Sequence, residues 1–143
     1  MKRVLLCASV AFAAVALQLP QIQPKDFAAQ LQAGGDKPAI FHVGFAVLYR
    51  SKHIPGSEYA GPASQPAGLE SLRAAVSKLP KDREIVLYCG CCPWDRCPNM
   101  KPAQELLRDM GYTHVKALMI PTNFAKDWID PGYPVELGDA AKK

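Results

Sequence analysis

Short apolar runs with the length of a β-strand recur along this chain, and turn residues separate them. They lie at residues 39–43, 85–88 and 114–118, and a shorter extended segment is expected at residues 19–24. The run at 85–88 is apolar at every position. Such a run is typical of a strand that is buried on both faces of a parallel sheet.

Apolar residues recur at helical spacing between these runs. Residues 25–32 are predicted to form a brief helix with Phe27 and Leu31 on one face. A second helix is predicted before the stop signal Pro80, where four apolar residues share one face: Leu69, Leu72, Val76 and Leu79. The stretch at residues 44–68 is rich in proline and glycine, so it is expected to be mostly loop.

Two further helices are predicted in the last third of the chain. Pro102 is tolerated only in the first turn of a helix, which makes Asn99 the predicted N-cap and Gly111 the predicted end. The buried face of this helix is predicted to carry four residues: Ala103, Leu106, Leu107 and Met110. Thr122 is expected to cap a last helix that contains three large apolar residues: Phe124, Trp128 and Ile129. Alternation of strands and helices at these lengths predicts an α/β domain with a largely parallel sheet.

The length and composition fit one domain behind a secretion signal. A chain of 143 residues with 49% hydrophobic content is long enough for one packed core. Lys2 and Arg3 precede an apolar run at residues 4–17, and Ala14 and Ala16 fit a cleavage site. The apolar run is shorter than the roughly 20 residues of a membrane span. We therefore predict a signal peptide at residues 1–16, a domain at residues 17–143, export to the bacterial periplasm, and no membrane association after cleavage.

The charge pattern argues against nucleic-acid binding. The formal net charge is +4, and removal of Lys2 and Arg3 leaves 15 basic and 13 acidic residues. The basic residues are scattered among acidic ones, with no arginine run and no basic stripe. We expect an ordinary solvated surface and no nucleic-acid partner.

Four cysteines cluster between a predicted strand of the sheet and the predicted helix that follows it. Cys89, Cys91, Cys92 and Cys97 lie within nine residues, directly after the run at 85–88. Ligands of open α/β sheets collect outside the carboxyl ends of the strands, and a helix N-terminus stabilises a thiolate. We therefore expect Cys89 to be a nucleophile with a lowered pKa, and Arg96 to add a fixed positive charge.

The same cysteines allow two other uses. In an oxidising compartment they are expected to form disulfides, and because adjacent Cys91 and Cys92 do not easily pair with each other, the bridges would reach to Cys89 or Cys97. Up to four thiolates could instead hold zinc, copper or an iron–sulfur cluster, although structural zinc sites usually take their ligands from two separate elements. Both alternatives describe a binding module without catalysis.

Several segments resemble rhodanese-like domains, over residues 22–135. Residues 52–57 (KHIPGS) resemble the family's G-H-I-P-G-A turn, and residues 79–82 (LPKD) lead into residues 85–89 (IVLYC), which resemble its strand ending in the catalytic cysteine. Residues 106–112 (LLRDMGY) resemble the following helix. The closing segment is matched by three features: Phe124, Trp128 and residues 132–135 (GYPV).

The resemblance implies a doubly wound domain with a mainly parallel five-stranded sheet flanked by helices. It implies that Cys89 accepts a sulfane sulfur as a persulfide, with Arg96 as its charge partner and with three resolving or disulfide-forming thiols: Cys91, Cys92 and Cys97. The expected partners are a small sulfur-containing donor and a thiol acceptor, which can be a protein, and no cofactor is required. The chain departs from the family pattern at Arg96, seven positions after Cys89, and at His42 and Gly44, which replace the family's aspartate and arginine.

Overall fold

A five-stranded parallel sheet forms the centre of the molecule. The computed structural model describes residues 19–139, so the predicted signal peptide lies outside the described residues. Its strands are β1 Gln21–Ile22, β2 Ala39–His42, β4 Ser57–Tyr59, β5 Ile85–Tyr88 and β6 Val115–Leu118, and they lie in the order β1-β6-β5-β2-β4. A separate antiparallel pair joins β3 Lys52–His53 to β7 Glu136–Leu137. The predicted α/β class and the largely parallel five-stranded sheet are confirmed.

Helices cover both faces of this sheet. They are α1 Pro24–Gln32, α2 Ala46–Ser51, α3 Pro66–Val76 and α4 Met100–Asp109, with a 3₁₀ turn at Trp94–Arg96 and a π-helix at Ala125–Ile129. Helices α1 and α3 begin with proline. Proline lacks a backbone N–H, and at the first position of a helix that N–H would make no intrahelical hydrogen bond. Within residues 19–139 no helix has the length and apolar character needed to cross a membrane.

Strand β5 is buried at all four positions, because each of its faces meets a separate core. Ile85 and Leu87 point to the core beneath α3 and α4, whereas Val86 and Tyr88 point to the core beneath α1 and the π-helix. Full burial of such an apolar side chain contributes about 1.5–3 kcal/mol to the free energy of unfolding. Cys89 continues the alternation and joins the core on the α4 side.

The register of the central strands brings two loops together at the carboxyl edge of the sheet. His42 at the end of β2 pairs with Tyr88 at the end of β5. Residues 43 and 44 therefore leave the sheet beside residues 89 and 90. This edge carries the cysteines.

The stretch at residues 44–68 contains more regular structure than the mostly loop conformation that we expected. It forms α2, β3 and β4 before α3 begins. Strand β4 forms because it pairs with β2. The residues of β4 do not themselves predict this tertiary contact. Helix α2 buries none of its side chains, so no apolar periodicity marks it.

The caps of the last two helices also differ from the prediction. Asn99 occupies the N-cap position of α4, but its side chain makes no capping hydrogen bond. At the last helix the capping side chains are Asn123, which accepts from the Lys126 N–H, and Asp127, which accepts from the N–H of Thr122. Thr122 thus takes part through its backbone rather than as the predicted cap.

Candidate functional site

Cys89 begins the cysteine loop, residues 89–97, which folds over the carboxyl end of β5. The Cys89 residue is only 1% exposed and packs against the core on the α4 side. Gly90 then turns the loop with a positive φ of 73°. A Cβ at Gly90 would lie 2.6 Å from the Cβ of Phe124, so a residue without a side chain is required here. The Phe124 N–H donates to the Gly90 carbonyl and holds the turn in place.

The four sulfur atoms lie close together. Cys91 Sγ is 3.2 Å from Cys89 Sγ and 3.0 Å from Cys92 Sγ. The sulfurs of Cys89, Cys91 and Cys97 all lie within 4.8 Å of one another. These four cysteines are free thiols, and the separations of 3.2 and 3.0 Å exceed the roughly 2.05 Å of a disulfide. The structure therefore brings together all four cysteines that the sequence singled out.

Asn99 contacts two of these sulfurs from within the core. The residue is completely buried, and its Nδ2 lies 3.4 Å from Cys89 Sγ and 3.8 Å from Cys91 Sγ. Its Oδ1 accepts a hydrogen bond from the Ser64 N–H at 2.9 Å. Because that bond fixes which end of the amide is the oxygen, the Nδ2 group is the end that faces the sulfur atoms. Sequence reasoning assigned Asn99 to the helix cap and missed this role.

The lowered thiol pKa belongs to Cys97 rather than to Cys89. Hydrogen bonding with Cys89 lowers the pKa of Cys97 to about 6, and the backbone N–H groups of Asn99 and Met100 at the start of α4 add to this effect. For Cys89 the hydrogen bond with Cys97 and burial both raise the pKa of the thiol. The expectation of a low-pKa thiol at Cys89 was therefore wrong. The helix N-terminus that we expected to favour its thiolate acts on Cys97 instead.

The thiol of Cys92 lies at the outer side of the cluster. It is partly exposed, and its sulfur is 3.7 Å from the carbonyl oxygen of Arg96. Burial and the neighbouring thiols raise the pKa of Cys92 to about 12. At neutral pH Cys92 is therefore a neutral thiol.

Arg96 itself is exposed in the 3₁₀ turn that follows Trp94. Its contact with the cysteines is made by its backbone carbonyl, as described above. The turn is tied down by the Trp94 N–H, which donates to the Pro121 carbonyl at 3.2 Å. The role of Arg96 as a charge partner stays a prediction.

His42 and Gly44 support Cys89 from the neighbouring strand. The Nε2–H of His42 donates to the Cys89 carbonyl at 3.1 Å, and burial lowers the pKa of His42 to about 4, so the ring is neutral. A Cβ at Gly44 would lie 2.8 Å from Cys89 Sγ. Glycine at this position therefore leaves the space that the sulfur occupies. In the sequence, the feature that could have identified this pair is a histidine at the end of a predicted strand, followed closely by a glycine.

Comparisons with known proteins agree with this architecture. The model of the family described as rhodanese-like domain matches residues 23–119. No curated protein matches the chain. A solution structure of a rhodanese-like domain from Anabaena sp. is 24% identical, covers 88% of this chain and 85% of its own, and has a TM-score of 0.65.

Two other solved structures show the same fold. A Bacillus halodurans protein is 20% identical with a TM-score of 0.64, and the match covers 85% of this chain and 80% of that protein. A rhodanese-like domain protein from Staphylococcus aureus is 14% identical with a TM-score of 0.58, and the match covers 83% and 98%. At these identities the structural likeness shows the fold alone. The family model, however, spans more than half of the sequence, and the chain therefore belongs to the family of rhodanese-like domains.

Proposed function

We propose that this protein is a sulfurtransferase that works as a persulfide carrier, with Cys89 as the residue that holds the transferred sulfur. The observation that carries the proposal is a row of three sulfur atoms, Cys92, Cys91 and Cys89, with successive separations of 3.0 and 3.2 Å. Cys91 and Cys92 are partly exposed, whereas Cys89 is buried. The row thus connects the surface to a protected thiol.

Sulfur moves along such a row by repeated thiol attack. A thiol of the row attacks the outer sulfur of a small sulfane donor, and the donor's sulfur–sulfur bond breaks. The proton of the attacking thiol passes to the remainder of the donor, which leaves with the electron pair of the broken bond. The next cysteine attacks the same outer sulfur, and its proton passes to the sulfur that is displaced. One sulfur–sulfur bond forms for each one that breaks, so the relay needs no oxidant and no reductant.

The surroundings of Cys89 suit an anionic persulfide. The Nδ2 group of Asn99 points at its sulfur from 3.4 Å, and Gly44 leaves space beside it. Burial keeps water and competing thiols away from the stored sulfur. Release then follows the row in reverse, to a thiol acceptor that reaches the exposed cysteines. In this proposal Arg96 attracts the anionic donor, while Cys97, like Cys91 and Cys92, serves as a resolving thiol.

Intact-mass measurement after incubation with a sulfane-sulfur donor tests the proposal. We expect the wild type to gain one sulfur atom and Cys89→Ser to retain none after the excess donor is removed. Cys92→Ser should still be loaded, but more slowly, because the exposed end of the row is lost. Equal retention by wild type and Cys89→Ser, or no gain by the wild type, would contradict the proposal.

A disulfide-locked loop without catalysis is the competing function. Counting free thiols in protein taken directly from its native compartment separates the two cases. The carrier predicts free thiols or persulfides at the four loop cysteines, whereas a locked loop predicts none. Because the proposal includes cleavage after Ala16 and export to the periplasm, the same sample also tests the N-terminus of the mature protein.

A further inference from the structure

The cysteine loop contains a second set of sulfur atoms that differs from the row described above. This set consists of Cys89, Cys91 and Cys97, whose sulfurs all lie within 4.8 Å of one another. Metal–thiolate bonds of about 2.3 Å place the sulfurs of a three- or four-coordinate site about 3.8–4.0 Å apart. The separation of 3.2 Å between the sulfurs of Cys89 and Cys91 has to open by only about 0.6 Å to reach that spacing. Small side-chain rotations therefore suffice to point all three sulfurs at one ion.

The donor set is entirely soft. Within residues 19–139 no histidine or carboxylate joins the three sulfurs. The small space beside Cys89 and Cys97 is lined by further polarisable or apolar side chains, among them Trp94, Met100 and Ile120. Thiolates without oxygen or nitrogen ligands select monovalent copper, zinc or iron–sulfur clusters. Zinc completes a tetrahedron with a fourth ligand, and the remaining thiol, that of Cys92, lies outside the mutual group of three.

The surroundings also compensate the charge of the thiolates. The Nδ2 group of Asn99 faces Cys89 Sγ at 3.4 Å and Cys91 Sγ at 3.8 Å, and the Ser64 N–H holds the amide in this orientation. Cys97 lies just before the start of α4, where the backbone N–H groups of the first turn favour negative charge. Donors of this kind orient metal ligands and stabilise their negative charge. Two of the three sulfurs therefore have the Asn99 amide as a donor, and the third lies at the N-terminus of α4.

We propose that Cys89, Cys91 and Cys97 form a three-thiolate binding site for one Cu(I) ion. The buried position of Cys89 keeps water from the ion and protects the monovalent state. Binding needs no sulfane donor, so the site does not depend on the sulfur transfer proposed above. Because Cys89 serves in both, a bound copper ion and a persulfide exclude each other.

Anaerobic titration of the reduced full-length protein with Cu(I), against a chromophoric Cu(I) chelator, tests this site in the absence of any sulfur donor. We expect one copper ion per chain, and X-ray absorption should give three sulfur neighbours for it. Loss of a supporting donor around a metal site typically weakens affinity about 10–100-fold, so removal of a ligand itself in Cys91→Ser or Cys97→Ser should weaken it by about 100-fold or more.

Cys92→Ser is the matched control, since it removes a neighbouring thiol that is outside the set of three. Its Cu(I) affinity should stay within about threefold of wild type, a difference of less than 1 kcal/mol. Circular dichroism of each variant confirms that the fold is intact. Three results would overturn the proposal: no copper retained against the chelator, a loss in Cys92→Ser as large as in Cys97→Ser, or a Zn²⁺ ion that displaces Cu(I) at equal concentration.

Discussion

The side-chain nitrogen of Asn99 lies 3.4 Å from the sulfur of Cys89, in a part of the core where both residues are almost completely buried. A buried amide that presents N–H groups to a thiol stabilises negative charge on that sulfur. The orientation depends on the Ser64 N–H, which binds the oxygen end of the amide. This contact links the loop at Ser64 to the chemistry of the cysteine loop.

Substitution of Asn99 by aspartate should slow sulfur loading without removing the bond from Ser64. In Asn99→Asp one carboxylate oxygen still accepts from Ser64, but the other replaces the N–H donor and repels an anionic sulfur. A hydrogen bond to a charged group contributes about 1.5–3 kcal/mol, so we expect the loading rate to fall at least about tenfold. The rate is measured by intact mass over time. Asn123→Asp, at the partly exposed cap of the last helix, is the control and should load at the wild-type rate.

Alkylation should identify Cys97 as the thiol that ionises first. Its pKa is lowered to about 6, so its reactive thiolate form predominates above that pH and is lost as the pH falls below it. Site-resolved alkylation with iodoacetamide between pH 5 and pH 9 measures this directly. We expect a midpoint near pH 6 for Cys97 and little labelling of Cys92, whose pKa is raised to about 12. A Cys97 midpoint near the ordinary cysteine value of about 8.5 would show that neither the hydrogen bond with Cys89 nor the N–H groups at the start of α4 stabilise its thiolate.

Acid should destabilise the fold through His42. Burial lowers the pKa of this histidine from 6.5 to about 4, so between these values the unfolded chain binds a proton that the folded protein does not. The free energy of unfolding should therefore fall as the pH decreases from 6.5 to 4, by up to about 3 kcal/mol from this residue. Urea unfolding at pH 7 and pH 4.5 measures the change. His42→Gln should show a smaller decrease than wild type, and an identical decrease in both proteins would refute the assignment.

The parts of the fold that the sequence predicted correctly carry strong local signals. The unbroken apolar run at residues 85–88 requires burial on both faces, and the spacing of Ala103, Leu106 and Leu107 requires a core on one side of a helix. Strand β4 has no comparable signal. Its residues Ser57–Tyr59 become a strand because the edge of β2 is available to them, and that edge is formed by distant parts of the chain.

At the site, too, the sequence predicts the features that depend on neighbouring residues and misses those that depend on tertiary contacts. The sequence predicts that four cysteines follow a buried strand, and the structure places them together. It does not predict which thiol has the lowered pKa, because that depends first on the hydrogen bond between Cys97 and Cys89 and then on the N–H groups at the start of α4. The orientation of Asn99 could not be predicted from the sequence either, because it is fixed by Ser64, which lies 35 positions earlier.

The location of the stored sulfur tests the carrier function most directly. Full-length protein is loaded briefly with a sulfane donor, freed of the excess, alkylated and mapped by peptide mass spectrometry. We predict that the persulfide accumulates on Cys89 in the wild type, and that Cys89→Ser retains no persulfide once the excess donor is removed. A persulfide that stays on Cys92 in the wild type, with the same amount and lifetime whether or not Cys89 is present, would contradict the account.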